Sequence, residues 1–146
     1  MLTIRPMEEA DLEAVLTIEQ ASYPRPWTRA HFLHELSSSH SFPFVAITVD
    51  GTVAGYLCFT SLFEEAQVQN IAVAPDQRGR GVGRLLMQHS VELAGQKGAE
   101  YLALEVRSSN VPAIALYESL GFVRSGIRPR YYEGVEDAVL MEKPLG

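Results

Sequence analysis

Apolar and polar positions alternate between two periods along this chain. Asp11 to Ala21 places Leu12, Val15, Leu16 and Ile18 on or near one side of a helix, the 3.6-residue spacing of a buried stripe. Tyr23-Pro24-Arg25-Pro26-Trp27 ends it, because two prolines remove donors and push their predecessors toward extended backbone. Thr28 is an N-cap for a second helix through Leu36, buried by Phe32, Leu33 and Leu36. Phe44 to Val49 and Thr52 to Thr60 flank Asp50-Gly51, the strongest hairpin signal in the chain. Leu2 to Arg5 reads as an edge strand, and Gln67 to Val73 and Tyr101 to Val106 as further strands. Between those two, Val82, Leu85, Leu86, His89 and Leu93 repeat on one helical face, ending near Gly98.

Asn110 caps a helix from about Val111 to Leu120, with Pro112 tolerated in its first turn and Gly121 as its stop. Phe122 to Ile127 and Ala138 to Lys143 are the last strands, flanking a turn with Arg130, Tyr131 and Tyr132. The order βααβββαβαββ follows. It describes an α/β fold with helices packed on a mixed, mostly antiparallel sheet. The pattern runs through residues 1–146 as one domain, long enough to bury roughly 68–70% of the unfolded chain's surface.

The chemistry gathers at Asn70-Ile71-Ala72-Val73-Ala74-Pro75-Asp76-Gln77-Arg78-Gly79-Arg80-Gly81-Val82-Gly83-Arg84, a strand, a glycine turn and a helix start. Unpaired N–H groups at a helix N-terminus attract anions, and glycines let a phosphate approach the backbone. Arg78, Arg80 and Arg84 add charge, so a pyrophosphate is the expected ligand. The dinucleotide fingerprint G-x-G-x-x-G fails, since Arg84 and Leu86 stand where its third glycine belongs. A Walker loop fails too, because the only lysines are Lys97 and Lys143.

Bulk properties narrow the classes. Hydrophobic residues at 47% with 21% charged suit a globular chain, and a lone cysteine, Cys58, suits a small core residue. No leader and no apolar run of spanning length are visible, so a cytosolic location is the default expectation. A net charge of −6 argues against nucleic-acid or membrane binding and suits a cationic substrate. His31 and His34 lack an evident third ligand, so no metal site is expected.

Arg78-x-x-Gly81-x-Gly83 resembles the acetyl-CoA loop of the GCN5-related N-acetyltransferases, and the element order extends that resemblance over the whole chain. The resemblance implies acetyl-CoA as cosubstrate, with its pyrophosphate on the amides and side chains of Arg78, Gly79, Arg80, Gly81, Val82, Gly83 and Arg84. It also implies pantetheine contacts from Ile71, Ala72 and Val73. Asn110-x-x-Ala113-x-x-Leu116-Tyr117 matches a second family motif, whose tyrosine is commonly the general acid; Asn110 and Tyr117 are then near the cofactor. Read alone, Tyr117 is better taken as a core residue of an amphipathic helix, and it is the resemblance that assigns it to the chemistry.

Glu105 interrupts Tyr101-Leu102-Ala103-Leu104 and Val106. Partial desolvation there would favour a base, whereas a strand face shared with Tyr101 and Ala103 would simply expose it. Within the family, Leu104-Glu105-Val106-Arg107-x-Ser109-Asn110, Tyr23-Pro24-Arg25-Pro26-Trp27 and Arg128-x-Arg130-Tyr131-Tyr132 resemble the bacterial ribosomal-protein-alanine branch, the RimI type. That implies Glu105 as base, Tyr117 as acid, and Trp27, Tyr131 and Tyr132 lining a groove for a protein N-terminus. Two alternatives stay open: an acetyltransferase for a small-molecule amine or lysine side chain, and a non-catalytic CoA-binding sensor.

Overall fold

The computed structural model describes all residues, Met1–Gly146. The elements are β1 (Thr3–Pro6), α1 (Leu12–Ser22), α2 (Arg29–Ser37), β2 (Phe44–Ile47), β3 (Val53–Leu62), β4 (Glu65–Val73), α3 (Val82–Gln96), β5 (Tyr101–Arg107), α4 (Val111–Ser119), β6 (Val123–Tyr132) and β7 (Glu136–Pro144). Short 3₁₀ turns precede α1 and α3, at Glu9–Asp11 and Pro75–Gln77. The sheet has seven strands in the order β1-β2-β3-β4-β5-β7-β6. β4 and β5 run parallel, whereas β1 with β2, β2 with β3, β5 with β7 and β6 with β7 pair antiparallel. The βααβββαβαββ order expected from the hydrophobic pattern is therefore the order observed.

Contacts divide the chain into two compact units, residues 1–60 with 69–90, and residues 61–68 with 91–146. In the first, Leu12, Val15 and Ile18 of α1 join Phe32, Val45 and Tyr56 in a core, with Cys58 fully buried among them. The caps read from the sequence are in place: the Thr28 hydroxyl accepts the His31 amide at 3.3 Å. Before α1, Arg5 grips Asp11 through two hydrogen bonds of 2.8 Å, and Asp11 also accepts the Glu8 amide at 2.8 Å.

The Arg5 hydrogen bonds hold the Asp11 carboxyl below its ordinary range, against the opposing effect of burial. This stabilisation is thus present above about pH 4 and is lost as pH falls through the lower folded value. Asp11→Asn is expected to lower Tm at pH 7, by an amount equivalent to roughly 1–2 kcal/mol for a charge-assisted, capping carboxylate. The deficit shrinks as thermal melts are taken toward pH 3, whereas an equal deficit at both pH values would exclude the linkage.

One close approach seats the start of α3. A Cβ on Gly55 of β3 would lie 2.8 Å from the Ala72 carbonyl oxygen of β4 and 3.1 and 3.3 Å from Leu86 and Val82 of α3. Backbone cannot yield there as a flexible side chain can. Gly55→Ala is expected to lower Tm by an amount equivalent to about 1–3 kcal/mol, by overpacking against Ala72, Val82 and Leu86. An unchanged Tm would show that the contact is not needed.

In the second unit, Leu102, Leu104 and Val106 fill one face of β5 and are buried, together with Ala138, Val139 and Met141 of β7 and Ile114, Tyr117 and Phe122 around α4. Asn110 caps α4 by accepting the Ala113 amide at 3.3 Å. The expected turn holding Arg130, Tyr131 and Tyr132 is instead the end of β6. Its pairing with β7 slips between Arg128 and Tyr132, where Arg130 has φ 53°, and the chain reverses only beyond Tyr132, in a turn at Glu133-Gly134-Val135 closed by the Val135 amide on the Tyr132 carbonyl.

Candidate active site

In the first unit the glycine loop stands as a built turn. Gly79 and Gly81 have φ 77° and 82°, and a Cβ at either would meet nothing within 4 Å. Their backbones therefore lie open, in a conformation side chains resist. The first turn of α3 begins at Val82 and Gly83, directly after this loop, and the N-terminal amides of a helix have no earlier helical carbonyl to bond. Arg80 and Gly81 also border an open cavity of about 810 Å³ with Thr48, Asp50, Gln77 and Gln88. Arg78 does something else with its guanidinium: Nε donates to the Val73 carbonyl and Nη2 to the Ser22 hydroxyl, each at 3.1 Å. It braces the loop.

β4 approaches the loop with unusual partners. Its ladder with β5 covers only Glu65–Gln67 against Tyr101–Ala103, although the strand continues to Val73. Beyond the ladder, the Ile71 carbonyl accepts the Tyr23 hydroxyl, and the Asn70 amide donates to Glu19 at 2.7 Å. Trp27 is half-buried, stacked on His31 at 3.7 Å between ring centroids and tilted against Phe32 at 5.1 Å. His31 is exposed, yet its ring covers the tryptophan.

In the second unit, Glu105 of β5 and Tyr117 of α4 each lie near Tyr132, at the end of β6. The Glu105 side chain is only 15% exposed, and Arg128 Nη2 lies 3.3 Å from its Oε1. Arg128 in turn lies over the Tyr131 ring, 5.2 Å from its centroid. The Tyr117 ring is buried, 6.1 Å from Phe122, and burial first, with nearby Tyr132 second, pushes its phenol up to about 12. Burial and then Glu105 push Tyr132 up to about 12 as well.

A further network fixes that strand end. Arg107 reaches Glu133 at 2.8 Å and Glu136 at 3.2 Å, and its guanidinium covers the Tyr132 ring at 4.3 Å. Glu136 accepts the Ser109 amide at 2.8 Å, next to the cap of α4. Sequence reasoning placed Arg107 and Arg128 in motifs but gave them no partners, because their pairings with Glu133, Glu136 and Glu105 join residues 23 to 29 positions apart. No group of three or more His, Cys, Asp and Glu side chains is arranged to hold a metal.

These features define an acetyltransferase of one family. Residues 12–122 match the acetyltransferase (GNAT) family, and the chain belongs to it. The chain is 38% identical over 148 residues to the [ribosomal protein bS18]-alanine N-acetyltransferase of Escherichia coli K12, covering 99% of each. The crystal structure of the Escherichia coli ribosomal-protein-S18-alanine N-acetyltransferase superposes with a TM-score of 0.92 at 39% identity, covering 100% of this chain and 95% of that one. A streptothricin acetyltransferase from Streptomyces lavendulae is 36% identical over 116 residues, 75% of this chain and 61% of its own.

Proposed function

We propose that this protein transfers the acetyl group of acetyl-CoA to the N-terminal α-amine, alanine, of a small-subunit ribosomal protein. The likeness to the bS18 enzyme over 99% of both chains supports the substrate. The observation that carries the chemistry is a covered carboxylate, Glu105, and a buried phenol, Tyr117, in one unit. A sensor that only binds CoA has no use for either group. The family match runs through both compact units, which supports one acetyltransferase domain over residues 1–146.

Acetyl-CoA supplies an activated thioester. The open backbone of Gly79 and Gly81, the first amides of α3 and the exposed Arg80 suit its pyrophosphate. Arg78 holds that turn to Val73 and Ser22. Glu105 takes the proton as the amine nitrogen bonds the acetyl carbon, and the carbon–sulfur bond breaks with its electron pair leaving on sulfur. Tyr117 donates to that sulfur. Complete transfer from a phenol near 12 to a thiolate of reference pKa ≈ 8.5 is uphill by roughly 5 kcal/mol, so Tyr117 serves first as a hydrogen-bond donor. Cys58 is fully buried, and burial pushes its thiol up, so it offers no acyl carrier and the transfer is direct, in a ternary complex.

The α-amine is the easier acceptor. Its reference pKa of ≈ 7.7–8.0, against ≈ 10.4 for lysine, leaves Glu105 less to do. The streptothricin relative keeps a small-molecule amine as the second reading. Thiol release from acetyl-CoA decides between them, with three acceptors: an alanine-initiated hexapeptide, the same peptide blocked at its N-terminus with an internal lysine free, and spermidine. Turnover with the free alanine terminus alone supports the proposal. Turnover with spermidine or lysine instead replaces the acceptor and leaves the family intact.

A further inference from the structure

The last turn of α1 holds a group that the reaction does not consume. Glu19 stands four residues after Val15 and seven after Leu12, on the buried face of the helix, and is 1% exposed. Its Oε1 accepts from the Asn70 side-chain amide of β4 at 2.7 Å and from the Tyr56 hydroxyl of β3. Oε2 accepts from the Trp27 backbone amide at 2.9 Å. All three partners are uncharged donors. A carboxyl group buried without a cation is an expensive way to fill a helix face that leucine would fill. What it supplies is geometry, a single point tying the Tyr23–Trp27 segment to two strands.

Neighbouring residues repeat the tie. The Tyr23 hydroxyl donates to the Ile71 carbonyl, one residue beyond Asn70, and the Ser22 hydroxyl accepts from Arg78. The end of α1 is therefore where the Tyr23–Trp27 segment is held against β3 and β4.

We propose that Glu19 is a positioning residue for the acceptor: by fixing the Tyr23–Trp27 segment against β3 and β4, it sets the affinity for the acceptor amine without contributing to acetyl-CoA binding. This rests on the reading of Trp27 as a wall of the acceptor groove. Glu19→Gln tests it, because the amide keeps the shape but offers one acceptor oxygen where three donors converge, so its NH₂ faces another donor. Tyr56→Phe is the control; it removes one donor and leaves the Trp27 and Asn70 bonds.

Trp27 is the only tryptophan in the chain, so its emission and its quenching by acrylamide report the segment directly. In Glu19→Gln, the acceptor KM should rise at least tenfold while the acetyl-CoA KM changes less than twofold. Trp27 emission should shift to the red and quench more readily. Tyr56→Phe should keep wild-type emission and KM even where its Tm falls as far. Should Glu19→Gln not fold, Glu19→Asp, whose carboxylate falls short by one methylene, should show the same changes to a smaller degree.

Wild-type emission and acceptor KM in Glu19→Gln overturn the proposal. So does an equal emission shift and KM rise in Tyr56→Phe, which would mark general loosening. The emission needs no acceptor, and the KM is taken with whichever amine the wild-type enzyme acetylates. Failure of the alanine peptide as a substrate is therefore seen in the wild type, separately from failure of the positioning role.

Discussion

Tyr117→Phe is expected to lower kcat more than tenfold while leaving the acetyl-CoA dissociation constant within about twofold. Tyr117 is buried against Phe122, so phenylalanine keeps the packing and loses only the hydroxyl. That hydroxyl matters when charge appears on sulfur. An interaction made only as the carbon–sulfur bond breaks is lost from kcat and not from ground-state binding. A tenfold fall corresponds to about 1.4 kcal/mol, the size of one donor aimed at a developing anion and less than the 2.7–4 kcal/mol measured for strong cases elsewhere. Single-turnover rates at saturating acetyl-CoA and peptide, with isothermal titration of acetyl-CoA, check it. A near-wild-type rate would remove Tyr117 from the chemistry. Because its phenol stands near 12, it stays protonated, and the wild-type profile should show no alkaline fall due to Tyr117 below about pH 10.

The residues that carry this chemistry differ in how they could be read. The glycine loop was legible because its constraint is local: Gly79 and Gly81 take positive φ whatever surrounds them. The Thr28 and Asn110 caps, and the Asp50-Gly51 turn with Gly51 at φ 89°, were legible for the same reason. Arg78 was only half legible. Its place in the motif was visible, but the carbonyl and hydroxyl its guanidinium grips depend on how two other segments end.

Glu19 shows the same divide. Its spacing from Leu12 and Val15 put a carboxylate on an apolar face, a signal present in the sequence. Its partners, 8, 37 and 51 residues away, were not. Hydrophobic period assigns a residue to a face and says nothing of what meets it there. At the end of β6 the strand runs past Ile127, where a turn was expected, because a register shift between Arg128 and Tyr132 leaves Tyr132 still paired with Glu136.

Glu105→Gln is the companion case, and its loss should depend on pH. A peptide amine of reference pKa ≈ 7.7–8.0 is mostly protonated near pH 6.5, and there a base must take the proton; near pH 9 the free amine already dominates. The expected fall in kcat is about 100-fold at the acid end, within the usual span for a general base, narrowing to tenfold or less at the alkaline end. The substitution also cancels the Arg128 ion pair, which could by itself disturb the end of β6. Arg128→Gln separates the two effects. It breaks the same pair but keeps the carboxylate, and because the Arg128 side chain is mostly exposed, its loss removes little packing. A pH-dependent loss in Glu105→Gln with a near-normal rate in Arg128→Gln assigns the proton transfer to Glu105. Equal losses in both, or a loss in Glu105→Gln that is flat with pH, would make the carboxylate an anchor for Arg128 and move the base elsewhere.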